Sequence, residues 1–305
     1  MGQVRPGAVV GTLAVAVLAV GCTGDGEPAP PVERAVSTGG GAVLSGSEVA
    51  QRYGYDPAAE DLTPVYALVP EFHSLDDGYA RDLLGSACLD GVVVYRAVAP
   101  RAQAGSVDQR TGQLVFDVEI AAERGYPFLR PDAGEPEALG GVPAEVEIST
   151  EIYEQMVACG RQADQRLGTA PERLLNEIET GGWDRVGHDP RVAAAVDAWR
   201  ACMAPVGVVD LPQDINEMPT PSVLGGLVRD PMAGDPDLPL SERERAVAVA
   251  DATCRDDVGY AEVVHVVRAE AELEMIGRSI EAFDAVREEY RAYQAGLEQV
   301  IVELG

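Results

Sequence analysis

The chain has 305 residues, 51 acidic and 23 basic side chains, and a formal charge of −28 at neutral pH. Every basic residue is arginine, so no lysine offsets that acidity. Nucleic acid and anionic lipid headgroups both select positive patches, so neither is expected as a partner. The acidity instead favours solubility and repulsion from an anionic surface. After the N-terminal segments, about 260 residues remain, enough for one large or two small domains.

Arg5 is the only charged side chain before Cys22, and Ala8 to Val20 is a run of small and aliphatic residues. A basic start, a short apolar core and a small residue at the cut make a secretory signal, whereas a bilayer span needs ~20 apolar residues. The close of the run, Leu18-Ala19-Val20-Gly21-Cys22, resembles a bacterial lipobox, with Ala19 where such boxes prefer leucine. This resemblance implies that residues 1–21 are a signal peptide and that Cys22 becomes the lipid-attachment residue, carrying diacylglyceryl and palmitate chains. Two acyl chains are what stable anchoring needs. The membrane would then be a partner through the lipid on Cys22, with the protein on the outer face of the cell membrane. An ordinary cleaved signal, or a retained anchor, with a chance cysteine is the alternative.

Residues 22–47 hold Glu27-Pro28-Ala29-Pro30-Pro31 and Thr38-Gly39-Gly40-Gly41 without apolar periodicity, the composition of a disordered tether. The body divides by pattern into a first helical and β unit, 48–180, and a second helical unit, 181–305.

Four further cysteines, Cys88, Cys159, Cys202 and Cys254, are an even set, and in an exported protein they read as two disulfides. Three pairings are open. Cys88 and Cys202 each lie near a helix end followed by glycine and a β-branched pair, whereas Cys159 and Cys254 each lie inside a helical pattern. That order suggests two tandem pseudo-repeats, each closing its own bridge, Cys88–Cys159 and Cys202–Cys254.

Taken in order, Asp76 to Leu89 reads as a helix with Tyr79, Leu83, Leu84 and Ala87 on one side. Val92 to Tyr95 is a short strand candidate. Leu114 to Ile120 alternates like a half-buried strand, although Ile120 to Arg124 also fits a helix. Ser149 to Leu167 carries Ile152, Met156, Cys159 and Ala163 at helical spacing. Asp189 and Pro190 are an N-cap and first-turn proline for a helix bearing Val192, Val196, Trp199 and Met203. Trp199 and Met203 are expected to anchor a core beside Cys202.

The connection 205–240 is punctuated by Pro212, Pro219, Pro221, Pro231 and Pro236. Long connections in compact domains are usually functional or disordered. This one is expected to present Leu224, Leu227, Val228 and Met232 outward to an envelope protein partner. Ser241-Glu242-Arg243-Glu244 is a capping box opening a helix through Val247, Ala250 and Cys254. From Tyr260 to Leu304 an apolar stripe runs through Leu273, Ile276, Ile280, Phe283, Val286, Tyr290, Tyr293, Leu297, Val300 and Leu304. Acids including Glu270, Glu272 and Glu274 flank it. Unbroken, that segment would be about 67 Å long, with Gly277 the place for a bend. Packing on its own chain is the first reading and a coiled-coil homo-oligomer the second.

Trp199-Arg200-Ala201-Cys202-Met203 with Gly207, then Ala250-Asp251-Ala252-Thr253-Cys254 and a long acidic helix, resembles a group of actinobacterial secreted lipoproteins. The likeness spans Leu75 to the C-terminus and implies a helical, disulfide-tied extracytoplasmic body, without an activity or catalytic residues. An Arg-only chain rich in Ala, Val, Gly and Pro is also what a GC-rich genome encodes.

No catalytic, metal or nucleotide motif is evident, and no cofactor is expected. His73, His188 and His265 lack zinc-ligand spacing, and Asp235 and Asp237 with Gly234 lack the spacing of a calcium loop. Asp76-Asp77 and Asp256-Asp257 read as solvated helix turns. The expected fold is mainly α with a small β element. The expected role is that of an extracytoplasmic binding or structural envelope module. The alternative is an extracytoplasmic hydrolase with a site assembled from distant residues, for which a cleft holding a buried carboxylate or His188 would speak.

Overall fold

The computed structural model describes residues 43–57, 59–73, 76–90, 107–108, 113–129, 148–225 and 239–305. Cys22, the expected signal, the tether up to residue 42, Val92–Tyr95, Leu227, Val228, Met232, Asp235 and Asp237 lie outside the described residues. The fold is mainly α. Its helices are α1 (Gly46–Tyr53), α2 (Pro64–Leu68), α3 (Asp76–Cys88), α4 (Val118–Arg124), α5 (Thr150–Leu167), α6 (Arg173–His188), α7 (Pro190–Met203), α8 (Glu242–Asp257), α9 (Tyr260–Arg278) and α10 (Ile280–Leu304). The β content among the described residues is one antiparallel pair, β1 (Val107–Asp108) and β2 (Gln113–Leu114).

The strand expected over Leu114–Ile120 stops at Leu114. Asp117 accepts a hydrogen bond from the Ile120 backbone N–H at 2.8 Å and starts α4. A cap that satisfies an otherwise orphaned donor outweighs so short an alternation.

The ordered body also begins earlier than residue 48. Ser45 and Glu48 form a reciprocal capping box, with Ser45 N–H donating to Glu48 Oε2 at 2.7 Å. Just ahead, the Leu44 N–H donates to the Gly277 carbonyl at 3.0 Å. A β-carbon on Gly277 would lie 2.1 Å from the Leu44 carbonyl oxygen, so this close approach requires glycine. The C-terminal segment is two helices: α9 ends at Arg278, Ser279 leaves helical geometry (φ −129°, ψ 31°), and α10 begins at Ile280. Its apolar stripe is covered by its own chain, with Leu273, Ile276, Ile280, Phe283, Tyr290, Leu297 and Val300 all buried.

Three apolar clusters share this C-terminal spine. The first joins α4, α7 and α8 to Val264 and Val267 of α9. The second joins α1, α2 and α6 to Ala269, Leu273 and Ile276 of α9 and to Phe283 and Tyr290 of α10. The third is small: Ala80 of α3 with Leu297 and Val300 at the end of α10. Residues from Gly41 onward form one compact unit, and the boundary expected between 180 and 181 falls inside α6. That helix is continuous because its two central glycines lie against α9, as described below.

The described part of the connection after α7, residues 204–225, folds back onto the first cluster. Ile215, Met218 and Val223 are buried, and Leu224 packs against the same core. Asp210 ties the connection together, accepting from the Thr220 hydroxyl at 2.5 Å and the Ser222 N–H at 3.1 Å. Leu224 therefore does not face outward as the sequence suggested.

Candidate functional site

Two buried charged assemblies stand out, one between α7 and α8 and one where α9 meets α6 and α2. In the first, the elements that make the sequence distinctive meet. Trp199 Nε1 donates to Asp251 Oδ1 at 2.8 Å, and the sulfurs of Cys202 and Cys254 are 1.97 Å apart. Trp199 and Cys202 are three apart on α7, as are Asp251 and Cys254 on α8, so each pair shares a helix face. The two contacts advance in step along both helices. The chain must therefore travel back about 18 Å, the length of twelve helical residues, between the end of α7 and the start of α8.

Asp251 is fully buried and also accepts from Arg255 Nε at 2.8 Å and from the Tyr126 hydroxyl at 3.1 Å. Arg255 donates to the Ile215 carbonyl at 2.7 Å and lies 5.2 Å from the Phe116 ring. Phe116 stacks on Tyr126 at 5.2 Å. Burial first, then the Asp251 carboxylate, push the Tyr126 phenol far above its usual range. Trp199 and Met203 are fully buried in the core beside this brace.

The second assembly was not evident in the sequence reading. Arg268 and Glu272 on α9 are both fully buried, with Arg268 Nε donating to Glu272 Oε1 at 2.7 Å. The guanidinium lies 4.4 Å from the Trp183 ring and 5.0 Å from the Tyr66 ring. It is also paired with Glu179 at 3.3 Å, and the Tyr66 hydroxyl donates to that carboxylate at 2.5 Å. Glu272 Oε2 accepts from the Val65 N–H at 3.0 Å, which fixes α2 to α9. Burial pushes the Glu272 carboxyl up, opposed by the Arg268 charge and the Val65 N–H. Burial and the bond to Glu179 push the Tyr66 phenol up to about 12.

Gly182 on α6 allows this packing, since a β-carbon there would lie 3.1 Å from Cγ of both Arg268 and Glu272. Glu272 thus belongs to the interior and not to the acidic flank assigned to it. One signal marked it. Val264, Arg268, Glu272 and Ile276 recur every four residues, which places an ion pair inside the apolar column of α9. His265 is likewise buried on α9.

The first pair of cysteines, Cys88 and Cys159, joins α3 to α5 with sulfurs 2.03 Å apart. At the opposite end of α3, Asp77 accepts from Arg81 Nε at 2.9 Å and from the Tyr293 hydroxyl, and Asp76 accepts from Gln294 Nε2 at 2.8 Å. These acids clamp α3 onto α10 while staying partly exposed, the Asp77 side chain keeping 41% of its exposure. His188 is exposed at the end of α6, its Nδ1 2.7 Å from the Asp184 carbonyl oxygen. His73 falls in the turn Pro70–His73.

Both fully buried carboxylates, Asp251 and Glu272, are held by arginine between packed helices, so their chemistry is cross-bracing. An open groove runs along α6, lined by Arg173, Asn176, Glu177, Thr180, Gly181 and Asp184. Among the described residues, no group of three His, Cys, Asp or Glu side chains is placed to hold a metal ion, and no helix is long and apolar enough to cross a membrane. The chain matches no protein-family model, no curated protein and no solved structure.

Proposed function

We propose that the protein is a lipid-anchored extracytoplasmic module, held through Cys22 at the outer face of the cell membrane, that binds or supports an envelope protein partner. The observation that carries this reading is the apolar run Ala8–Val20 closing on Gly21-Cys22, ahead of a body tied by two disulfides. Disulfides persist in oxidising compartments, which is where that signal would deliver the chain. Cross-braced interior carboxylates suit a rigid presenting surface.

The test combines palmitate labelling, membrane fractionation and photo-crosslinking in intact cells. Wild-type protein is expected to carry label, sediment with membranes and give discrete crosslinked species. In Cys22→Ser, all three are expected to be lost. A Cys22→Ser chain that still sediments with membranes would overturn the anchor, and a labelled wild type without crosslinked species would overturn the binding role.

A further inference from the structure

The two disulfides differ in what surrounds them, and this difference is the basis of a device that is independent of how the protein is anchored. Cys254 is buried and Cys202 half-buried within the first apolar cluster. Cys88 is exposed at the last position of α3, while its partner Cys159 is buried at the middle of α5. Of the eighteen residues of α5, only Cys159 and Ala163 are buried, and Tyr153 and Val157 are exposed. Among the described residues, α5 is otherwise attached by Leu167, packed at its end against the third apolar cluster, by Arg81, which donates to the Gly168 carbonyl at 3.1 Å, and by the surface ion pairs Arg81–Asp164 and Arg166–Glu303. Such pairs hold little against solvent. Among the described residues, the covalent bond is therefore the principal clamp on α5, and its exposed end is Cys88.

We propose that Cys88–Cys159 is a redox-operated latch that a dithiol reductant opens to release α5, while Cys202–Cys254 is a permanent staple. A thiolate of the reductant attacks Sγ of Cys88, forming a mixed disulfide and expelling Cys159 as its thiolate, which takes up a proton. The second thiol of the reductant then attacks its own sulfur in that mixed disulfide. It releases Cys88 as a thiol and leaves the reductant as its disulfide, a transfer of two electrons. With the bridge open, α5 separates from α3, and the first two apolar clusters stay packed.

The experiment is a graded dithiothreitol titration of the full chain in detergent. Alkylation and peptide mass spectrometry read each cysteine, and amide hydrogen exchange is followed in parallel. Cys88 and Cys159 are expected to become alkylated at reductant concentrations at least tenfold below those that open Cys202–Cys254. Exchange at that stage is expected to accelerate across 150–167 and at the end of α3, with α7, α8 and α9 still protected. Reduction of both bridges together, or early reduction without faster exchange in α5, would overturn the proposal. A Cys88→Ser/Cys159→Ser chain is expected to show fast exchange in α5 without reductant and no further response to low dithiothreitol. Should that variant fail to fold, α5 is not separable and the latch is refuted.

Discussion

The two disulfide-bearing ends of the molecule use the same parts to different effect. Each bridge-bearing helix also carries an aspartate bound to an arginine one turn later and to a tyrosine hydroxyl: Asp251, Arg255 and Tyr126 one turn from Cys254, and Asp77, Arg81 and Tyr293 at the start of α3, about 16 Å along the helix from Cys88. At the first end Asp251 is fully buried and the Arg255 side chain keeps 15% of its exposure. At the second, the side chains of Asp77 and Arg81 keep 41% and 27% of their exposure. The bridges also differ in direction. Cys202–Cys254 joins helices whose contacts advance in step, whereas Arg81–Asp164 and Cys88–Cys159 run in opposite order along α3 and α5. Likeness between the cysteine-bearing segments therefore records local helix chemistry, and burial decides what each brace is worth.

The largest contrast is expected on removing each aspartate. Asp251→Ala strands a buried Arg255 and the Trp199 N–H, and is expected to cost about 3–5 kcal/mol. Asp77→Ala removes a solvent-screened partner and is expected to cost no more than about 1 kcal/mol. Urea unfolding followed by circular dichroism measures both, and equal losses would dissolve the distinction between core and edge.

Bridge removal sharpens the comparison from another side. The closed loops span 71 and 52 residues, and chain entropy alone ranks them almost equally, at about 4 kcal/mol each. Their surroundings predict otherwise. Cys202→Ser/Cys254→Ser is expected to lower the main unfolding transition by about that amount. Cys88→Ser/Cys159→Ser is expected to leave the main transition nearly unmoved, since α5 comes away before it. Matching shifts in the two double variants would show that α5 unfolds with the core.

A smaller effect tests the second charged assembly. Alanine in place of a helical glycine normally gains about 1 kcal/mol. At Gly181 the added β-carbon meets only the flexible end of Met275, which can swing aside, so Gly181→Ala is expected to be neutral or stabilising. At Gly182 it meets the stems of Arg268 and Glu272, fixed by their ion pair, and Gly182→Ala is expected to destabilise by about 1–3 kcal/mol. Thermal melts of the two single variants separate them, and melts of the same sign would mean that α9 can shift away.

Much of the helical frame was legible because its signals are local. Ser149 caps α5, Asp189 with Pro190 opens α7, and Ser241 accepts from the Glu244 N–H at 3.0 Å to open α8. What escaped depends on partners distant in sequence. Gly181 and Gly182 look like interruptions until α9 lies against them. Glu272 looks like a surface acid until Arg268, Val65 and the rings of Trp183 and Tyr66 enclose its pair. Leu224 looks presentable until Ile215 and Met218 draw its connection onto the core. Ser45 and Glu48 did carry a local signal, a capping box, but the glycine run just ahead masked it.

The tyrosines of the two braces give the finest test. The Tyr293 phenol is pushed up to about 12 from its usual 10.0, by burial and by the Asp77 carboxylate. Tyr126 is raised further, beyond the reach of ordinary titration in the fold. Both contribute as neutral phenols. Their stabilisation is complete below pH 10, where the unfolded form is also neutral, and it declines as pH rises above 10. For Tyr293 that decline ends near pH 12, where the folded form ionises as well. Phenolate absorbance at 295 nm, followed alongside far-ultraviolet circular dichroism, distinguishes the two residues. Tyr293→Phe is expected to remove amplitude near pH 12 while helix is still present, and Tyr126→Phe only amplitude that appears with loss of helix. Phenolate from Tyr126 ahead of that loss would mean that the core brace opens as readily as the edge one.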